Sequence, residues 1–149
     1  MTGIALPIDA SLIDEMRGPL SVGGIIEQIP VLTYVAGTGY WFCQFVSGRT
    51  IPRSTLIRYC RIHFTNGSSC IVESGARVLC LSNDSWKIFS CRAECLTIGM
   101  ACMTCHPTNK VLYVDRISPV QRHVSRRIIP EFNGTIVVDP GIVIYIPKC

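Results

Sequence analysis

The sequence predicts an all-β fold, and two observations carry that prediction. β-branched and aromatic residues dominate the chain in short runs, and Gly, Pro, Asn and Ser interrupt these runs throughout. No stretch has the apolar spacing of a convincing amphipathic helix. Many short strands at regular spacing are typical of a sandwich, a barrel or a horseshoe-shaped sheet.

The candidate strands follow the apolar runs in chain order: Ser21–Ile26, Val31–Val35, Tyr40–Ser47, Leu56–Phe64, Ser69–Val72, Arg77–Leu81, Lys87–Ser90, Ala101–Thr104, Val111–Ile117, Val124–Ile129, Thr135–Val138 and Ile142–Ile146. Asn66-Gly67 predicts a hairpin, because both residues tolerate the positive φ of a tight turn. Ala36–Gly39, Ser82–Ser85 and Asn133-Gly134 are similar. With no repeat, low-complexity tract or linker, residues 1–149 are expected to form a single domain.

The composition is unusually apolar for such a domain. Hydrophobic residues make up 48% of the chain and charged residues 16%, whereas about a quarter is usual for charged residues. Either the sheets are covered on both faces, or apolar surface is left for a protein partner, and we favour the partner. No apolar run approaches the ~20 residues that span a bilayer, so no membrane association is expected. The N-terminus has early acidic residues and no basic start, unlike a secretory signal.

The nine cysteines are expected to be reduced thiols, which places the protein in the cytoplasm or within a virus particle and not in a secreted state. One cluster has the pattern Cys-x3-Cys-x6-Cys-x2-Cys-His and could bind zinc, through Cys91, Cys95, Cys102 and Cys105 with His106 beside them. Its spacing is short for a zinc ribbon. We therefore favour cysteines acting as small core hydrophobes, a role that also suits Cys43, Cys60, Cys70 and Cys80. No cofactor is expected.

The net charge of +4 is concentrated in residues 110–127, where Asp115 is the only acidic residue. Such a segment could bind phosphate, including that of nucleic acid, or an acidic partner. The simpler interpretation is a solvated strand face, because no aromatic residue follows Tyr113 to stack on bases. The binding candidates are Arg116, Arg122, Arg126 and Arg127.

The run ALPIDASLIDEMRGPLSVGGIIEQIPVLTY, Ala5–Tyr34, resembles the opening block of inteins and related hedgehog/intein (Hint) domains. That block has a Cys or Ser nucleophile, then Leu/Pro, an Asp-Thr-like pair, a short strand, a Gly and a strand ending in VLTY. Arg61–Thr104 resembles the next block, and Val124–Ile146 the last two. Within the second block the matching positions are Asn66-Gly67, Val78-Leu79, Trp86, Leu96 and Gly99. The resemblance covers nearly the whole chain and implies a Hint horseshoe with its first and last strands adjacent at the centre.

The resemblance also implies which side chains would act. An intein needs a thiol or hydroxyl at its first residue, a Thr and a His that polarise the preceding peptide bond, and a terminal His-Asn pair followed by a nucleophile. The groups found at those places are Ala5, Glu73, Ala76, Tyr145, Ile146 and, after them, Pro147. Every expected catalytic group is absent.

Three functions follow from these observations. We favour a catalytically inactive intein-like domain that serves as a structural or protein-binding module, for example as a component of a phage or viral particle. The first alternative is a self-cleaving or splicing domain with a substitute nucleophile such as Cys149 or Cys105, since some inteins begin with Ala and use a later nucleophile. Ser125 and His123 are the nearest polar candidates in the penultimate block. The second alternative is a small zinc-binding domain.

Overall fold

The computed structural model describes residues 3–14, 16, 18–25, 27–35, 40–52, 54–85, 87–105, 111–121, 124–131 and 134–146. These residues form β-strands and two short 3-10 helices, Val22–Gly24 and Ala93–Cys95, and contain no α-helix. The strands are β1 Ile4–Pro7, β2 Ser11–Ile13, β3 Pro19–Ser21, β4 Ile29–Val35, β5 Tyr40–Thr50, β6 Tyr59–Phe64, β7 Ser69–Glu73, β8 Arg77–Leu81, β9 Ile88–Arg92, β10 Ala101–Met103, β11 Val111–Val120, β12 Ser125–Pro130, β13 Gly134–Val138 and β14 Ile142–Ile146.

The strands form two antiparallel sheets. The smaller sheet has the order β1-β12-β5-β4. The larger sheet has the order β3-β2-β13-β14-β8-β10-β11-β6-β7, and β9 pairs with β8 outside this path. The all-β prediction is confirmed. No helix in the described ranges is long and apolar enough to cross a lipid bilayer.

Strands β13 and β14 are covered on both faces. Ile136, Ile142 and Ile144 belong to the main core, whereas Val137 and Val143 pack in a second cluster with Leu32 and Tyr34 of β4. A strand that is buried on both faces has a continuous run of apolar residues, because neither face is exposed to solvent. In β13 and β14 the apolar composition is therefore explained by burial on both faces. The sequence alone favours the other explanation, an apolar surface left for a partner.

Strand β6 separates the core from an accessible face. Cys60, Ile62 and Phe64 point into the core, while Arg61 and His63 are half-buried on the other side. Strand β7 pairs with β6 through the Asn66-Gly67 turn, in which Gly67 has a φ of +89°. That hairpin prediction is confirmed, and the positive φ explains the glycine.

Strand β11 carries a β-bulge where it pairs with β6. Val114 lies opposite Phe64 and Arg116 lies opposite His63, so Asp115 is the extra residue. Leu112 and Val114 are buried. A regular strand would continue that alternation and turn Arg116 to the core, but the added residue shifts the phase by one. Arg116 is therefore exposed.

Several strand predictions differ from the structure. The candidate strands omit β1, β2 and β3, because three or four residues are too few to give an alternating signal, and β1 and β3 also contain Pro7 and Pro19. The predicted strand Ser21–Ile26 is wrong over Val22–Gly24, which forms a 3-10 helix. The predicted strand Leu56–Phe64 begins only at Tyr59, since Thr55 donates its N–H to the Pro52 carbonyl in a turn and Leu56 is 98% exposed.

The first and last strands do not pair with each other. β1 pairs with β12, and β14 pairs with β13 and β8 in the other sheet. The expectation that these two strands are neighbours is therefore wrong for their hydrogen bonds. β1 instead contacts β7, whose Glu73 side chain accepts a hydrogen bond from β1.

Candidate functional site

The strongest link between predicted site residues joins Ala5 to Glu73. The backbone N–H of Ala5 donates a hydrogen bond to Oε2 of Glu73, with an N–O distance of 3.1 Å. Ala5 is fully buried and lies opposite Arg127 in the β1–β12 ladder. Its N–H points away from β12 to the side chain at the end of β7. The structure thus brings together two positions that are 68 residues apart in the chain.

The turn after β7 supplies the third predicted residue, Ala76. Its backbone N–H donates to the carbonyl of Glu73 at 2.9 Å, which closes the turn through Ser74 and Gly75. The Ala76 side chain is buried, at 8% exposure. The backbone hydrogen bond holds the turn in place. The Ala76 methyl group can neither donate a proton nor accept one, so this position has no acid–base function.

Tyr59 is a site residue that the sequence analysis missed. It lies directly opposite Glu73 in the β6–β7 ladder and is 2% exposed. Burial raises the pKa of Tyr59; the approach of Ser125 lowers it, Glu73 raises it and Arg127 lowers it. Within the described chain, no partner reaches the Tyr59 hydroxyl with good hydrogen-bond geometry. The signal in the sequence was weak, because Tyr59 stands at the start of an apolar run.

The predicted terminal residues lie on β14. Tyr145 pairs with Arg77 of β8 and with Thr135 of β13, and its side chain is 39% exposed. Ile146 is fully buried in the main core. An isoleucine side chain cannot cyclise as an asparagine amide does. Other predicted positions lie outside the described residues: the turn Ala36–Gly39, Trp86, His106, Arg122, His123, Asn133, Pro147 and Cys149.

The cysteines divide into a buried and an accessible group. Cys60, Cys70, Cys80 and Cys102 are buried, as the core interpretation requires, whereas Cys43 on β5 and Cys95 in the second 3-10 helix are exposed and contradict it. Burial raises the pKa of Cys60 to about 11. Cys80 lies opposite Cys102, and hydrogen bonding with Cys102 together with burial raises the pKa of Cys80.

The zinc alternative gains no support from the described residues. Cys91 and Cys105 are half-buried, Cys95 is exposed and Cys102 is fully buried. Among the residues that the structure places, no group of three or more His, Cys, Asp or Glu side chains could hold a metal ion. The four thiols therefore lack a shared centre, and a tetrahedral zinc site needs one.

The structure divides the basic segment between two sheets. Arg116 is exposed on β11 of the larger sheet, beside β6. Arg126 and Arg127 are half-buried on β12 of the smaller sheet, between β1 and β5. Residues that are consecutive in a basic run thus do not form one continuous strand face.

Comparison with known proteins finds similarity in structure alone. No protein-family model matches the chain. No curated protein matches it either. An intein from a hyperthermophile is similar to it with a TM-score of 0.73 at 13% identity, over 96% of this chain and 99% of that one.

Two further solved structures agree. The DnaX mini intein from Spirulina platensis gives a TM-score of 0.72 at 18% identity, over 95% of this chain and 98% of that one. A bacterial intein-like domain from Clostridium thermocellum gives 0.66 at 12% identity, over 97% of each chain. Similarity at such low identity over nearly whole chains concerns the fold and leaves the chemistry to the residues themselves.

Proposed function

We propose that this chain, which has the fold of inteins and Hint domains, is a catalytically inactive domain of that fold that serves as a structural or protein-binding module. The supporting observation is the hydrogen bond from the Ala5 N–H to the Glu73 carboxylate. By the resemblance, Ala5 and Glu73 occupy positions at which an intein activates the peptide bond. Here the two residues form a hydrogen bond and supply neither a nucleophile nor a proton donor.

Peptide-bond cleavage at this place requires a nucleophile and a proton donor. The nucleophile must attack the carbonyl carbon before the nitrogen of Ala5, and the donor must protonate that nitrogen as it leaves. Ala5 offers a methyl group, and Glu73 accepts the N–H hydrogen instead of delivering one. A buried N–H that is satisfied by a carboxylate is held in place, because breaking the contact would leave both groups unpaired. The arrangement stabilises the peptide bond that an intein would break.

A role in binding protein rests on the exposed apolar side chains. Phe42 and Phe45 on β5 are 39% and 47% exposed, and Ile88 and Phe89 on β9 are 37% and 41% exposed. Large apolar side chains outside the core favour contact with a partner protein. A component of a larger assembly, such as a phage or virus particle in which cysteines stay reduced, is consistent with this composition.

A fusion with a different tag at each end tests the proposal. We expect the intact mass to stay that of the uncleaved fusion after prolonged incubation at several pH values and with added thiol. An Ala5→Cys variant serves as the matched control. We expect it to remain intact as well, because Ala76 and Ile146 still supply no proton donor and no cyclising amide.

Three results would contradict the proposal or its chemical basis. Cleaved or spliced product from the unmodified chain that disappears on Cys149→Ala or Cys105→Ala would establish self-processing through a substitute nucleophile. Cleavage of the Ala5→Cys fusion at the Ile4–Ala5 bond would show that only the nucleophile is missing. One equivalent of zinc in anaerobically purified protein would favour the metal-binding alternative.

A further inference from the structure

The outer face of the β6, β7 and β11 ladder carries a compact group of hydrogen-bond donors. It consists of two arginines, a histidine and two serines, which we call the donor face: Arg61, His63, Ser69, Arg116 and Ser118. All are half-buried or exposed. None belongs to the contact between Ala5 and Glu73, so the donor face is a separate feature of the molecule.

The strand register places these side chains side by side. His63 lies between Arg116 of β11 and Ser69 of β7 in one row, and Arg61 lies opposite Ser118 in the next row. Directly paired residues have Cβ atoms roughly 5 Å apart. The bulge at Asp115 is what brings Arg116 into the first row. The five side chains of the donor face, from three adjacent strands, therefore share one patch.

Two hydrogen bonds orient the donors. His63 Nε2 lies 3.0 Å from Ser118 Oγ, and Arg61 Nη1 donates to Ser69 Oγ at 3.3 Å. Neither Arg61 nor Arg116 has a carboxylate within salt-bridge distance among the described residues. The two guanidinium groups thus keep most of their donor capacity for another anion.

We propose that the donor face binds the dianionic phosphate group of a phosphomonoester. Guanidinium forks match the oxygens of a tetrahedral anion, and imidazole and hydroxyl groups add further donors. The donors form a compact group, which fits one phosphate better than a long polyanion, since a polymer needs a continuous basic groove. This inference does not depend on the proposed function, because the donor face could bind phosphate whether or not the domain is catalytically active.

The charges around His63 support this assignment. Burial, then the neighbouring charges of Arg116 and Arg61, lower the pKa of His63, while Asp115 opposes them. Cations that crowd an imidazole mark a place where an anion is favourable. Arg61 and Ser69 line a cavity of about 190 Å³ together with Asp9 and Asp139, whose carboxylates oppose anion binding at that edge, so the phosphate is expected on the side of His63 and Arg116.

The test follows the His63 ring signals by NMR while inorganic phosphate is added at about pH 7.5, where a phosphomonoester is mostly dianionic. Sodium chloride at matched ionic strength is the reference. We expect saturable shifts and a raised pKa of His63 in phosphate, because a bound dianion favours the imidazolium. Sulfate does not titrate in this range, so its affinity should increase as the pH falls through the His63 pKa. His63→Gln should abolish that increase.

Variants distinguish phosphate binding at the donor face from nonspecific attraction by the net positive charge of the protein. Arg116→Gln and Arg61→Gln should each weaken phosphate binding about tenfold, the usual loss for one charge-assisted hydrogen bond. Arg49→Gln on β5 removes the same charge from the other sheet and should change the affinity less than about twofold.

Three outcomes would overturn the inference: no saturable shift in phosphate, equal weakening by Arg49→Gln, or tighter binding of a short oligonucleotide without terminal phosphates. The last outcome would assign the face to a nucleic-acid backbone. Arg116 is exposed, so its variant is expected to fold, and the unfolding transition of each variant checks this.

Discussion

The contact between Ala5 and Glu73 and the donor face differ in what their side chains can do. At the first, the methyl groups of Ala5 and Ala76 are buried and chemically inert, and the Glu73 carboxylate accepts the Ala5 N–H. At the second, Arg61, His63 and their neighbours are accessible and keep donors available. The difference teaches that two regions of one fold can use their polar groups in opposite ways: the Glu73 carboxylate is used inside the protein, whereas the donors of the second region remain accessible.

The largest expected effect concerns the buried end of β14. Ile146→Asn would introduce the residue type that the resemblance to inteins implies there, but it would lose apolar burial and place an amide among hydrocarbon side chains. We expect a loss of about 4 kcal/mol in the free energy of unfolding, measured in urea. Ile98→Asn, at a position that is 75% exposed, is the control and should cost less than about 0.5 kcal/mol. Similar losses at both positions would show that Ile146 is not a core residue.

Removal of the carboxylate tests the contact itself. Glu73→Ala leaves the buried Ala5 N–H without its acceptor, and we expect a loss of about 2 kcal/mol and faster hydrogen exchange at Ala5. Glu73→Gln keeps a side-chain oxygen and should cost less than about 1 kcal/mol. Unchanged exchange at Ala5 in the alanine variant would mean that the hydrogen bond does not form in solution.

The donor face should give a smaller, pH-dependent effect. The lowered pKa of His63 means that folding disfavours its charged form. Its contribution to stability is therefore complete above the ordinary pKa of 6.5 and is lost as the pH falls through the folded-state value. Because the residue is only half-buried, we expect a loss of less than about 1 kcal/mol in acid. Denaturation series of the native chain and His63→Gln should converge above that range and separate below it; parallel curves would refute the assignment.

Tyr59→Phe should have the smallest effect. The Tyr59 hydroxyl is buried without a partner of good geometry, so its removal deletes no hydrogen bond. We expect the free energy of unfolding to change by less than about 0.5 kcal/mol, in either direction. Tyr59→Ala, which also removes the buried ring, should cost about 3 kcal/mol or more. A large loss in the phenylalanine variant would reveal a working hydrogen bond to Ser125.

Much of the fold could be predicted from the sequence, because its signals are local. The Asn66-Gly67 turn and the apolar runs on either side locate β6 and β7 to within a few residues at each end. β1 to β3 could not be predicted, since each has only three or four residues. β1 and β2 also depend on partners far along the chain, β12 and β13, although β2 and β3 pair with each other. The bulge at Asp115 has the same origin, because an extra residue is visible only against the strand it pairs with.

The candidate site was predictable only in part. The positions of Ala5, Glu73 and Ala76 came from the resemblance, and the structure does join the first two. The role of Glu73 as an acceptor could not be predicted, because it depends on the direction of one N–H in a three-dimensional contact. The pairing of Tyr59 with Glu73 depends likewise on register. Composition and spacing carry no information on either.

The single extra residue at Asp115 has a consequence for how this surface could change in evolution. Side chains along a strand alternate between two faces, and a bulge adds one residue without changing the pairs on either side of it. The loss of the Asp115 codon would leave Arg116 directly after Val114 and still opposite His63, so the donor face would keep its side chains. The bulge is therefore a place where the chain can lose or gain one residue while the chemistry of this surface stays the same.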